Sequence, residues 1–147
     1  MDTIRSLGVR IIADHLGGMK APSLLPHTTD PLQQPGFKAL LSLAAEKHVT
    51  VKISGFYRAS EDHGGGSADL EGIVRKFAAE VPGRLIWASD WPHTGNSRDR
   101  KRMQKGAEVT ETFVEIDDRA IVGIIRRWVG EEVWWVMMVE NPGKMFT

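Results

Sequence analysis

The chain has 147 residues and 16.4 kDa, 41% of them hydrophobic and 26% charged, so it has enough apolar content for a folded core and does not read as intrinsically disordered. Nineteen basic and 19 acidic side chains cancel, which removes any overall pull toward nucleic acid or membrane, and the absence of cysteine removes disulfides, thiolate zinc sites and cysteine nucleophiles together. There is no apolar run long enough to span a bilayer and no basic stretch followed by an apolar one at the amino terminus, so the default expectation is a cytoplasmic protein with no membrane partner, and one domain covers 1–147.

In chain order, 1–7 reads as the tail of a helix and Val9–Asp14 (VRIIAD) as a first strand. A loop rich in proline and threonine leads to a helix from about Pro35, with Phe37, Leu40, Leu41, Ala44 and Ala45 on one apolar stripe. Val49–Ser54 (VTVKIS) is the second strand. A helix capped by Asp69 follows, carrying Leu70, Ile73, Val74, Phe77 and Val81 inward and stopped by Pro82-Gly83. Arg84–Ser89 (RLIWAS) is the third strand. The next helix is capped near Asp117, buries Ile121, Ile124, Ile125, Trp128 and Val129, and ends at Gly130; a last one runs from about Glu131 to Val139 and finishes at Asn141-Pro142. The adjacent Trp134 and Trp135 cannot both hide on one narrow helical stripe. Near-continuous β-branched runs fit strands of a parallel sheet buried on both faces, and alternation with helices makes the fold class α/β. With three strands the chain is either a small open sheet or part of a (β/α)₈ barrel, and the unprotected edges of a three-stranded sheet favour the barrel part.

In parallel α/β folds chemistry gathers at the carboxyl ends of the strands. Those ends are Asp14-His15, then Ser54-Gly55-Phe56-Tyr57-Arg58, then Ser89-Asp90-Trp91-Pro92-His93, and they fall on one rim. Asp90 is a candidate metal ligand or the general base that takes a proton from water, with a turn or cap aspartate as its plain alternative. His15 is a candidate metal ligand or carbonyl-polarising group, against a histidine bonded to a neighbouring loop. Tyr57 and Arg58 suit a substrate carboxylate, against a rim salt bridge. His93, three residues beyond Asp90, either shares that pocket or is solvated. Gly64–Gly66 reads as a flexible loop rather than a phosphate cradle, and the basic run Arg98–Arg102 with Lys105 as a solvated loop rather than a nucleic-acid patch.

Taken together, IIADHLGG, VKISGFYRAS, RLIWASDWPHTG and VENPGKMF resemble, in order and spacing, the amidohydrolase-related TIM-barrel hydrolases, above all the 2-pyrone-4,6-dicarboxylate lactonase group. The resemblance implies the carboxyl-terminal part of a barrel, about its last three βα units, and a hydrolase acting on a C–O or C–N bond of a small carboxylated substrate such as a lactone. It implies that Asp90 activates the hydrolytic water, that His15 is a metal ligand or substrate-polarising group, and that Tyr57, Arg58, His93 and Ser54 hold substrate. A divalent metal such as zinc or manganese, held by His15 and Asp90, is implied only in metal-dependent members. One departure stands out: the family's His-x-His pair is missing, since the five histidines at 15, 27, 48, 63 and 93 are never closer than 12 positions. The competing expectation is a non-catalytic barrel half that acts as a binding module, pairing as a homo-oligomer or with the missing half of the barrel.

Overall fold

The computed structural model describes residues 2–6, 8–62, 66–95, 106 and 108–146. Helix α1 (Asp2–Ser6) precedes strand β1 (Ile11–Ala13), then come helix α2 (Phe37–Ala45), strand β2 (Val49–Ile53), the short helix α3 (Phe56–Ala59), helix α4 (Glu71–Glu80), strand β3 (Leu85–Trp87), helix α5 (Asp118–Trp135) and helix α6 (Asn141–Phe146). The strands form one parallel sheet in the order β1-β2-β3, with Ile11 opposite Val49 and Val51 opposite Leu85. The α/β class read from the alternation is therefore the class observed. The anticipated basic run Arg98–Arg102, Lys105 and the Gly64-Gly65 pair lie outside the described residues.

The core lies between one face of the sheet and the helices. Val51, Ile53 and Leu85 from the strands meet Phe37, Leu41, Ile73, Val74, Phe77, Ile125 and Met137, all buried. Phe37 and Phe77 tie α2 to α4 with ring centroids 5.2 Å apart, and Phe56 stacks on Trp128 at 6.1 Å to tie α3 to α5. The expectation that all three strands are buried on both faces holds for β2 but not for β1, whose Ile12 is 40% exposed. The two edge strands differ here: β3 keeps Leu85 and Ile86 buried, whereas Ile12 of β1 is left open to solvent. On the α2 stripe Ala45 is exposed and Leu43 is buried in its place.

Two helix boundaries also differ from expectation. Asp69 does not cap α4: its carboxylate accepts hydrogen bonds from Ser23 Oγ and Ser60 Oγ, both at 2.6 Å, and thereby fastens the loops after β1 and β2 to each other. Asn141-Pro142 does not end the last helix. After a break at Gly130 (φ 80°) the chain turns helical again, widens into a π turn over Val136–Glu140, and continues as α6. Pro142 therefore sits within continuous helical backbone, just after the π turn, rather than at a helix end. Asp117 does cap α5, accepting from the backbone N–H of Ala120, and of the adjacent tryptophans Trp134 is half-buried while Trp135 is 58% exposed, as the one-stripe argument required.

Asn141 explains why α6 stays where it is. Its buried side chain donates from Nδ2 to the carbonyls of Pro82 and Leu85, at 2.9 and 2.8 Å, and so pins the final helix to the start of β3. Asn141→Ala leaves those carbonyls without that donor and should destabilise the chain by about 1–3 kcal/mol, measured by urea unfolding. An unchanged midpoint would mean that α6 is not anchored through this residue.

Candidate functional site

The carboxyl ends of the three strands converge as expected, and the register says why. Ile12 lies opposite Thr50 and Ala13 opposite Val51, so one step further Asp14 faces Lys52, and their side chains meet at 2.7 Å. Beyond β1 the chain turns at once into left-handed backbone at His15 (φ 49°), Leu16 and Gly17, which swings the imidazole back over the end of β2. Asp90, just past β3, is also left-handed (φ 71°), a conformation that aspartate tolerates better than most residues. The two turns bring His15 Nε2 to 2.7 Å from Asp90 Oδ1.

Gly55 makes this approach possible. A Cβ built at that position would stand 2.4 Å from His15 Cδ2 and 3.3 Å from Asp90 Oδ2, and its φ of 61° is itself unfavourable for a side chain. The turn at Gly55 starts α3, which sends Tyr57 and Arg58 to the other carboxylate oxygen. Tyr57 OH and Arg58 Nε each donate to Asp90 Oδ2 at 2.9 Å. Arg58 also packs over the Tyr57 ring, its guanidinium carbon 4.8 Å from the centroid, and donates from Nη2 to Thr94 Oγ1 at 3.0 Å.

These contacts set the protonation of the site. Burial alone would raise the Asp90 carboxyl, but the hydrogen bonds from His15, Arg58 and Tyr57 outweigh it and hold the group below the usual carboxylate range. Tyr57 moves the other way: burial, reinforced by the hydrogen bond to the Asp90 carboxylate, pushes its phenol up to about 12. Asp14 behaves like Asp90, with burial working against the Lys52 ammonium and the His15 backbone N–H, and the sum leaves its carboxyl lowered.

Of the residues anticipated from sequence, His15, Asp90, Tyr57 and Arg58 come together in one bonded cluster. Ser54 stands one layer behind, donating from Oγ to Asp14 Oδ1 at 3.1 Å. His93 touches the cluster edge-on through the Tyr57 ring at 5.5 Å. It is 5% exposed rather than solvated, with Nε2 at 3.1 Å from the Ser89 carbonyl oxygen and 3.5 Å from Asp118 Oδ2. The structure adds members that sequence reasoning gave no role: Asp14 and Lys52, and Lys20, whose Nζ donates to the Arg58 carbonyl at 2.8 Å. A lysine inside a strand that is otherwise β-branched was the available signal for Lys52.

Asp14, His15 and Asp90 place ligand-type atoms within 4.8 Å of one another, the spacing of a metal site. The donor set nonetheless does not fit a divalent ion as arranged. Each carboxylate already carries a cationic partner, Lys52 on Asp14 and Arg58 on Asp90, and His15 Nε2 is engaged with Asp90 rather than turned to a shared point. The cluster is organised instead as a carboxylate held by three donors, His15, Tyr57 and Arg58.

Tyr57 is the only tyrosine of the chain, so its phenol can be titrated directly by tyrosinate absorbance. The midpoint should lie at about 12 rather than at the ordinary 10.0, and Asp90→Asn should bring it down toward 10.0. Because the folded value is the higher one, stability should fall as pH rises through this interval. An unshifted midpoint in the native chain would break the Tyr57–Asp90 bond from the account.

Comparison with known proteins agrees with this architecture. The Amidohydro_2 model, described as amidohydrolase, matches residues 3–124. The 4-sulfomuconolactone hydrolase of Hydrogenophaga intermedia is 28% identical over 146 residues, which is 96% of this chain and 44% of that protein. Among solved structures, an apo protein of Agrobacterium tumefaciens superposes with a TM-score of 0.68 at 25% identity, covering 99% of this chain and 44% of the other. A protein of Acinetobacter baumannii described as a probable 2-pyrone-4,6-dicarboxylic acid hydrolase, with citric acid bound, gives 0.67 at 20% identity over 99% of this chain and 46% of its own, a likeness of fold. The chain thus spans less than half the length of these relatives, and its three parallel strands correspond to that share of a TIM-barrel amidohydrolase. On the match over residues 3–124, the chain belongs to the amidohydrolase family.

Proposed function

We propose that this chain supplies the carboxyl-terminal part of a lactone hydrolase, the last three βα units of a (β/α)₈ barrel forming one amidohydrolase domain with the remainder of the barrel. The observation that carries this reading is the Asp90 carboxylate held between His15 on one oxygen and the Tyr57–Arg58 pair on the other, at the carboxyl ends of the strands. The likeness to a 4-sulfomuconolactone hydrolase supports a substrate that is a small lactone bearing a negative charge.

The geometry suggests how such a substrate would start the reaction. With His15, Tyr57 and Arg58 all donating to it, Asp90 is a weak base, its carboxyl held below the usual range. An anionic group on the substrate competes for the Arg58 guanidinium and the Tyr57 hydroxyl, which form the fork-like, charge-assisted contacts that carboxylates and sulfonates prefer. Drawing these donors away strips stabilisation from the Asp90 anion and raises its basicity while the substrate is present. Asp90 then takes a proton from water as the water oxygen bonds to the lactone carbonyl carbon, and when the ring C–O bond breaks the protonated Asp90 returns that proton to the departing ring oxygen, which leaves a hydroxy acid and the starting carboxylate. Once Asp90 is protonated it no longer needs the His15 Nε2–H that it accepts at 2.7 Å, and in this reading that donor turns to the carbonyl oxygen as negative charge develops there. Asp14 and Lys52 act behind His15: the Asp14 carboxylate accepts from the His15 backbone N–H at 2.8 Å and fixes the turn that carries the imidazole.

The test is hydrolysis of sulfonated and carboxylated muconolactones by this chain, alone and combined with the amino-terminal half of the Hydrogenophaga relative. Asp90→Asn should lower turnover by about 10²–10⁴-fold with the fold preserved by circular dichroism. Failure to open any such lactone, or an Asp90→Asn variant as active as the parent, would reject the reading.

A further inference from the structure

The opposite end of the sheet carries a second concentration of charge. A cleft of about 320 Å³ opens at the amino ends of the strands, between Val9 and Arg10 before β1, Lys47, His48 and Thr50 at β2, Gly83 and Arg84 before β3, and Asn141, Lys144 and Met145 of α6. Five of these lining residues are arginine, lysine or histidine, and none is acidic. Among the described residues, Glu140 pairs with Lys144 at 3.1 Å and Glu46 lies 3.7 Å from His48. Arg10, Lys47 and Arg84 are in no ion pair with a carboxylate among the described residues.

What the two guanidiniums do instead points to a ligand. Arg84 is half-buried and among the described residues donates to backbone carbonyls, from Nε to Val49 at 3.2 Å and from Nη2 to Lys47 at 3.3 Å. Arg10 donates from Nη1 to the Met145 carbonyl. Carbonyl dipoles orient a guanidinium without neutralising it, so among the described residues neither side chain has a carboxylate to neutralise it, and each keeps further N–H donors at the cleft. Cations fixed by neutral acceptors around a concave space are the arrangement that attracts an anion and loses little entropy on binding it.

We propose that this cleft is a binding site for a small oxyanion carrying two or more negative charges, such as a phosphate or a polycarboxylate, clamped by Arg10, Lys47 and Arg84. Such a ligand would bridge the beginnings of all three strands and α6 and would stabilise the folded chain by mass action. The site lies at the other end of the sheet from Asp90 and does not depend on the lactonase reading.

The experiment titrates the full chain with inorganic phosphate, citrate and acetate at constant ionic strength, following the backbone amide resonances of His48, Gly83 and Asn141. Phosphate and citrate should give saturable shifts confined to this cleft, and acetate, with its single charge, much weaker ones. Lys47→Gln, an exposed change that spares the fold, should weaken binding by at least about ten-fold, and Arg84→Gln likewise where it remains folded. Arg58→Gln, at the opposite rim, should leave these shifts intact. Non-saturating shifts spread over all basic surfaces, equal binding by Lys47→Gln, or shifts that vanish in Arg58→Gln instead would overturn the proposal.

Discussion

Everything at the candidate site depends on one carboxylate shared by three strand ends. Asp90 follows β3, His15 follows β1, and Tyr57 and Arg58 follow β2, so the bonds on Oδ1 and Oδ2 are also the contacts that close the rim of the sheet. Removing the charge of Asp90 would leave a guanidinium and a phenol without their acceptor. The same bonds that build the site also hold the Asp90 carboxyl below the usual carboxylate range.

The rim owes its compactness to backbone rather than to side chains. Left-handed turns at His15, Gly55 and Asp90 fold three loops over the same point, and the Gly55 position has no room for even one extra carbon between His15 and Asp90. Behind them the Asp69 carboxylate joins the loops of β1 and β2 through Ser23 and Ser60, and Lys20 holds the Arg58 carbonyl. The Asp90 rim and the cleft lined by Arg10, Lys47 and Arg84 occupy opposite ends of one short sheet whose interior is apolar.

Much of this was legible in the sequence. Three β-branched runs alternating with amphipathic stretches give the α/β class, and polar residues directly after each run mark the rim. Which of them bond could not be read, because that requires the strand register: Asp14 meets Lys52 only because Ile12 stands opposite Thr50. Asp69 was misread as a cap since a cap and a tertiary hydrogen bond ask for the same side chain, and only the fold brings Ser23 and Ser60 within reach. Pro142 was misread as a terminator because a π turn upstream, which leaves no composition signal, sets where α6 begins. The burial of His93 came from α5 folding back across the rim, a long-range contact invisible to local pattern.

The most direct measurement is the titration of the Asp90 carboxyl by carbon-detected NMR, assigned through Asp90→Asn. With His15, Tyr57 and Arg58 all donating to it, its midpoint should lie below the ordinary 3.8 and should rise in Arg58→Gln. A midpoint at or above 3.8, or one indifferent to the loss of Arg58, would contradict the clamped carboxylate on which the account rests.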